Sequence, residues 1–190
     1  MIAYIFWHVP FSNIQSSDYE AALLAFHADI AAAPPPSLVA SGAFQISAVP
    51  WLDGRCGYED WYLVTSSAGL DVLNQAAVKP DRWDVHAKLA SKMDFGCGGL
   101  YYHLYGDERA FTGSRTIWLK RPRGIRYEQP LLGVIERSKG FLSCWRRQMV
   151  LGPADEFAIV GTSDLEANVP AGWQCRTVER TILDPGSMLH

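Results

Sequence analysis

An α+β fold built from two similar, successive units is the prediction, and three observations carry it. Residues 58–67 open on acids, pass through aromatics into the aliphatic pair Leu63 and Val64, and stop at small hydroxyl residues. Residues 155–163 repeat that phrase around Ile159 and Val160, 96 positions later. The hydrophobic period of residues 1–106 alternates between about two and about 3.6 in the order strand, helix, strand, strand, helix, strand. A polar break at 106–113 then precedes a second run of the same kind, so we divide the chain into modules 1–110 and 111–190, each with its own antiparallel sheet.

The elements follow in order. Residues 2–9 alternate as a strand with Tyr4, Phe6 and His8 on one face and Ile5 and Trp7 on the other, and Pro10 ends it. Ser17 and Glu20 have capping-box spacing at the start of a helix that carries Tyr19, Leu23, Phe26 and Ile30 on one stripe and stops before the prolines at 34–36. Residues 42–49 form a second strand with Phe44, Ile46 and Ala48 on one face. Pro50, Gly54 and Gly57 mark a hairpin into the strand 58–65. There Tyr58, Asp60 and Tyr62 share one face, while Glu59, Trp61 and Leu63 share the other.

Residues 70–77 read as a short helix, and Asp81 is placed to cap another through Trp83, His86, Leu89, Ala90 and Met93. Gly96, Gly98 and Gly99 introduce a fourth strand, 100–105. In the second unit, residues 114–119 form a strand, Pro130 sits near the first turn of a helix bearing Leu131, Leu132, Val134 and Ile135, and 141–151 and 156–162 are paired strands. Residues 163–172, interrupted by Pro170 and Gly172, cut the second covering helix down to a turn before the last strand, 173–183.

Composition sets limits on function. A chain of 190 residues with 48% hydrophobic residues buries a core of its own, and seven Trp, eight Tyr and eight Phe suit a sheet-rich interior. The net charge of −3 divides unevenly, −6 over residues 1–110 and +3 over 111–190, a dipole that suits self-association or an anionic partner. Without a broad basic surface or a nucleic-acid-reading motif, nucleic acid is not an expected partner. The apolar start is broken by His8 and Pro10, which fits neither a signal peptide nor a membrane span, so a cytoplasmic address with no membrane partner is expected. The four cysteines are scattered and read as free thiols.

The order of elements across residues 1–184, the paired strand phrases and the helix over 18–33 resemble the dimeric α/β-barrel superfamily, in which two ferredoxin-like modules (βαββαβ) pack sheet to sheet, between subunits or within one chain. The resemblance implies two tandem modules, 1–110 and 111–190, face to face as an α/β barrel. It also implies a context of antibiotic-biosynthesis monooxygenases, small-ring-forming enzymes, EthD-like proteins and haem-binding branches. Face-to-face packing within the chain would complete a monomer, whereas side-by-side packing would require a homodimer.

The chemistry-bearing candidates are few. His8 and His103 fall on strands that are neighbours in the ferredoxin-like order, which brings them close enough to share a proton or ligand. Asp60, on an aromatic strand, is the acid whose charged form burial would tune. Together these three are the catalytic candidates. Tyr58, Tyr62, Tyr101 and Tyr105, with Trp118 from the second unit, are the candidate lining of a cleft between the sheets, and Arg121 in a basic loop is the candidate anion contact. His27 reads as a residue at the edge of a helix face, His86 as lying near a packed one, and Cys97 lacks a histidine partner. No dinucleotide fingerprint, phosphate loop, nucleophile elbow or paired metal-ligand spacing appears, so neither a cofactor nor a metal is assigned. Three readings stay open: a cofactor-independent enzyme acting by proton transfer or oxygenation on a small hydrophobic or aromatic molecule, a non-catalytic binding or interaction module, and a haem-associated enzyme.

Overall fold

The computed structural model describes residues 1–80 and 82–184, so the capping role expected of Asp81 lies outside the described residues. Strands β1 (Ile2–Pro10), β2 (Leu38–Val49), β3 (Arg55–Val64), β4 (Met93–Gly106), β5 (Arg115–Lys120), β6 (Lys139–Arg147), β7 (Phe157–Glu166) and β8 (Gln174–Asp184) close into one antiparallel barrel in the order β1-β3-β2-β8-β5-β7-β6-β4. Helices α1 (Ser16–Ala32), α2 (Gly69–Ala77) and α3 (Trp83–Ala90) belong to the first half, and α4 (Glu128–Glu136) to the second. Read from its own edge, the first half has the strand order β4-β1-β3-β2 and the second β8-β5-β7-β6. The halves join through β2 with β8 and β4 with β6. As expected, no helix lies between β7 and β8.

Alternation sorts each strand into an inner and an outer face. Trp7, Trp61, Trp118, Trp145 and Phe44 point into the barrel and are fully buried, which fits an eight-stranded barrel whose interior is just wide enough for side chains to fill. The cleft expected between the sheets is therefore a packed core. A charge pair sits inside it. Glu59 accepts the indole N–H groups of Trp7 and Trp61, each at 2.7 Å, and lies 3.1 Å from Arg180 Nε of β8. That last approach is a charge contact without hydrogen-bond alignment. Arg180 also donates to the carbonyls of Phe111 and Gly113 at 2.9 Å, and its guanidinium lies 3.5 Å from the centre of the Phe44 ring. Burial pulls the Arg180 pKa down to about 10 against the opposing pull of Glu59.

Several expectations are corrected in detail. The two strand phrases do not superpose at 96 positions. Leu63 faces the barrel interior, whereas Ile159 faces α4 and Val160 the interior, so their faces match only after an odd shift. Gly96, Gly98 and Gly99 lie within β4, where they pair with His8, Phe6 and Ile5. A Cβ on Gly96 would meet Phe6 Cζ at 2.5 Å and one on Gly98 would meet Tyr4 Cε2 at 2.7 Å, so the missing side chains leave room for two rings laid across the strand. The helix begins at Ser16 with Gln15 as its N-cap, so Ser17 lies inside the first turn, and Glu20 accepts from Tyr58 Oη at 3.0 Å.

Candidate functional site

The outer face of the first half is apolar with a polar centre. Tyr19, Leu23, Phe26 and Ile30, spaced along one stripe of α1, press onto β1 and β3, while α2 and α3 close the other side. Between sheet and helices lies a cavity of about 420 Å³, walled by Phe6, Phe26, Leu73, Leu89, Met93 and Leu100 among others, with Tyr4, His8, Tyr19, Asp60, Tyr62, Asn74 and His86 supplying its polar groups. An apolar pocket of this size with a few convergent polar groups has the form of a small-molecule site.

At its centre is Asp60, 2% exposed and held between two imidazoles. His8 Nε2 lies 3.2 Å from Asp60 Oδ2, and His27 Nε2 lies 3.6 Å from Oδ1. On its other nitrogen, His8 Nδ1 is 2.6 Å from Tyr19 Oη. Asp60 offers only acceptors when ionised, so the proton of His8 belongs on Nε2 and Tyr19 donates to Nδ1. Tyr62 Oη donates to Asp60 Oδ2 at 3.3 Å and lies 3.4 Å from His27 Nε2. Neither His8 Nε2 nor Asp60 Oδ1 has an aligned hydrogen-bond partner, although both are buried.

The electrostatics follow from this arrangement. Burial alone would raise the Asp60 pKa, but the positive charge that His8, and then His27, carries when protonated holds the carboxyl well below the usual carboxylate range. The phenols move the other way. Burial, and then the Asp60 charge, push Tyr19 and Tyr62 well above the ordinary tyrosine value, and burial with the Glu20 hydrogen bond pushes Tyr58 up to about 12. The site thus pairs an ionised acid with neutral phenols across an imidazole.

Of the residues singled out in the sequence, the cavity brings together His8, Asp60 and Tyr62. Tyr58 stacks on His8 with ring centres 5.7 Å apart but is turned to Glu20. His103 is not a neighbour of His8. The antiparallel register pairs His8 with Gly96, seven residues along β4, and His103 packs edge-on against Trp145. Tyr101 and Trp118 are fully buried in the barrel core, and Tyr105 packs with the cluster under α4. Arg121 is ion-paired to Glu156 at 2.9 Å, away from the cavity lining. Two residues of the polar centre were not nominated: Tyr19, legible only as one of a helix stripe, and His27, which is 1% exposed instead of lying at a face edge. Their shared signal was a spacing of eight on α1, about two turns, which puts both on one side of the helix.

Haem ligation calls for an imidazole held by a second partner with its other nitrogen open to the cavity. Of the two imidazoles in the cavity wall, His8 faces polar groups on both nitrogens and His86 meets the rings of Phe26 and Trp83, so neither shows that arrangement. Among the described residues no group of three His, Cys, Asp or Glu side chains is spaced to hold a metal ion, and no helix is long and apolar enough to cross a membrane.

No protein-family model matches the chain, and no curated protein matches it in sequence. Solved structures do match in fold. An anthrone oxidase-like protein shares 8% identity, with 95% of this chain and 91% of that one covered and a TM-score of 0.51. A candidate monooxygenase of Lactobacillus acidophilus shares 10% identity over 100% and 99% of the two chains at a TM-score of 0.54. Another, from Fusobacterium nucleatum, shares 6% over 96% and 92% at 0.57. The chain thus shares the overall fold of these structures, with an antiparallel eight-stranded barrel closed within one chain.

Proposed function

We propose that the chain is a cofactor-independent enzyme of small-molecule metabolism, built as two tandem ferredoxin-like modules, 1–110 and 111–190. On this reading only the first module carries the site. The observation that carries the proposal is the chain of contacts Tyr19 Oη, His8 Nδ1, His8 Nε2 and Asp60 Oδ2, at 2.6 and 3.2 Å, set in the wall of a largely apolar cavity. It has the logic of an acid–imidazole–hydroxyl triad: the carboxylate fixes the imidazole tautomer, and the imidazole accepts the proton of the hydroxyl.

The substrate class is a small aromatic or polyketide-like molecule with an acidic C–H or O–H. Its proton passes to Tyr19 Oη as the Tyr19 proton passes to His8 Nδ1, and the imidazolium is balanced by Asp60. The carbanion of an anthrone would then react with dioxygen: one O₂ is consumed, the ring CH₂ becomes C=O and one water leaves. The name of one structural neighbour motivates anthrone as the probe.

The test measures oxygen uptake with anthrone in chelator-treated buffer, together with anthrone binding by quenching of tryptophan fluorescence. Wild-type protein is expected to bind anthrone and accelerate uptake, and Tyr19→Phe and His8→Ala are expected to lower the rate by about 10²–10⁴-fold, the scale of general acid–base catalysis. Binding with unaccelerated uptake would leave the non-catalytic binding reading in its place. Failure to bind would remove the substrate class, and a Soret band on haem addition that His86→Ala abolishes would favour the haem reading.

A further inference from the structure

Asp60 is approached from two sides, and only one of them faces the cavity. His8 is the cavity side. His27, from α1, is absent from the cavity wall, yet it is buried and lies 3.6 Å from the second carboxylate oxygen. Its Nδ1 is 3.1 Å from Ser41 Oγ on β2 and 3.9 Å from Asp184 Oδ2 at the end of β8, and its ring stacks on Tyr62 at 5.3 Å with 11° between planes. The imidazole is therefore fixed by strands from both halves of the barrel without touching the space a substrate would fill.

We propose that His27 is a positioning residue for the acid–base site: supported by Ser41, it holds Asp60 as the carboxylate aimed at His8. This rests on the reading of Tyr19, His8 and Asp60 as the proton-transfer chain. A buried acid flanked by a single imidazole would have less to offset its desolvation and would take up a proton more readily. A protonated Asp60 no longer fixes the Nε2–H tautomer of His8, and Tyr19 then loses its acceptor. The groups that face this pair are His8 and Tyr4 from β1, Tyr19 and His27 from α1, Ser41 from β2, Tyr62 from β3 and Asp184 from β8.

The sign is worked from the Asp60 side. His27 lowers the Asp60 pKa, so its loss raises it, and the acid limb of any Asp60-dependent process moves to higher pH. The experiment uses the full chain. The Asp60 carboxyl is followed by ¹³C NMR as pH is lowered, in wild type, His27→Leu, His27→Gln and Ser41→Ala, each checked for a native near-UV CD spectrum.

The expected result is an Asp60 midpoint raised by about one pH unit or more in His27→Leu, the scale of losing an imidazole that is protonated at acid pH and lies within about 4 Å of the carboxylate. Gln, whose amide places a donor near the Nε2 position, should restore part of that shift, and Ser41→Ala should raise the midpoint by less than His27→Leu. A midpoint in folded His27→Leu within about 0.3 unit of wild type would overturn the proposal, because one flanking charge should move a buried carboxyl further than that. Should His27→Leu fail to fold, Ser41→Ala and His27→Gln decide it, and unshifted midpoints in both would overturn it. The titration needs no turnover, so a shifted midpoint in a protein that leaves anthrone untouched would sink the proposed reaction and keep the role of His27.

Discussion

Replacing Glu59 with Gln tests what closes the barrel. Glu59 and Arg180 are buried, and they tie β3 of the first half to β8 of the second from inside the barrel. The carboxylate meets three donors, two indole N–H groups at 2.7 Å and the guanidinium at 3.1 Å. An amide has one oxygen to share among them and turns its own N–H₂ toward another donor. Breaking one partner of a buried ion pair costs about 3–5 kcal/mol. That is a large part of the roughly 5–15 kcal/mol stability of a typical domain, and at about 2–4 °C per kcal/mol for a chain of this size it lowers Tm by roughly 6–20 °C. The assay is urea unfolding with calorimetry. A double replacement, Glu59→Met with Arg180→Met, should recover only the part of the loss that comes from the stranded Arg180 charge, because the Trp7 and Trp61 N–H groups and the Phe111 and Gly113 carbonyls then lose their partners. Glu59→Gln within about 1 kcal/mol of wild type would refute the reasoning, since the pair would then be adding no constraint beyond packing.

Three further outcomes are expected. Gly96→Ala places a Cβ 2.5 Å from Phe6 Cζ and 3.0 Å from Met93 Sδ. It should cost about 1–3 kcal/mol of strain, or move the Phe6 ring into the cavity and weaken anthrone binding by tenfold or more; unchanged Tm and affinity together would refute the tight approach. Because the folded Asp60 pKa is depressed, its ionised form contributes stability above the unfolded value of about 4, and that contribution is lost as pH falls further. Urea titrations should therefore show an Asp60→Asn deficit that is full at pH 7 and shrinks below about pH 4; a deficit constant across that range would contradict the assignment. With a thiol reagent under native conditions, exposed Cys56 should react first and Cys97, its thiol pushed up to about 11 by burial and then Asp53, more slowly. Cys144, fully buried, should react only on unfolding, and early labelling of Cys144 would show the core to be open.

The faces that make up the candidate site were legible one strand at a time. The period of two placed Tyr4, Phe6 and His8 on one face of β1 and Tyr58, Asp60 and Tyr62 on one face of β3. The register between these strands sets His8 opposite Tyr58 and Phe6 opposite Asp60, which brings the imidazole beside the acid. His103 was misplaced because neighbouring strands do not by themselves specify register, and seven residues along β4 separate it from the partner of His8. His27 was undervalued because its partners come from β2, β3 and β8, far along the chain from α1.

What the residues alone determined is the order of strands and helices, the faces of β1 and β3 and the shortened second unit, because each depends on neighbours two to four positions apart. Which side of the sheet holds the cavity was decided only in three dimensions. Closure packs the inner face with Trp7, Trp61, Trp118 and Trp145, so the cavity that holds Asp60 lies on the outer face, under α1, α2 and α3. The echo of the β3 phrase in β7 has the same origin: its aliphatic core serves packing in both halves, while the acid with imidazoles on either side arises only where β1, β3 and α1 converge.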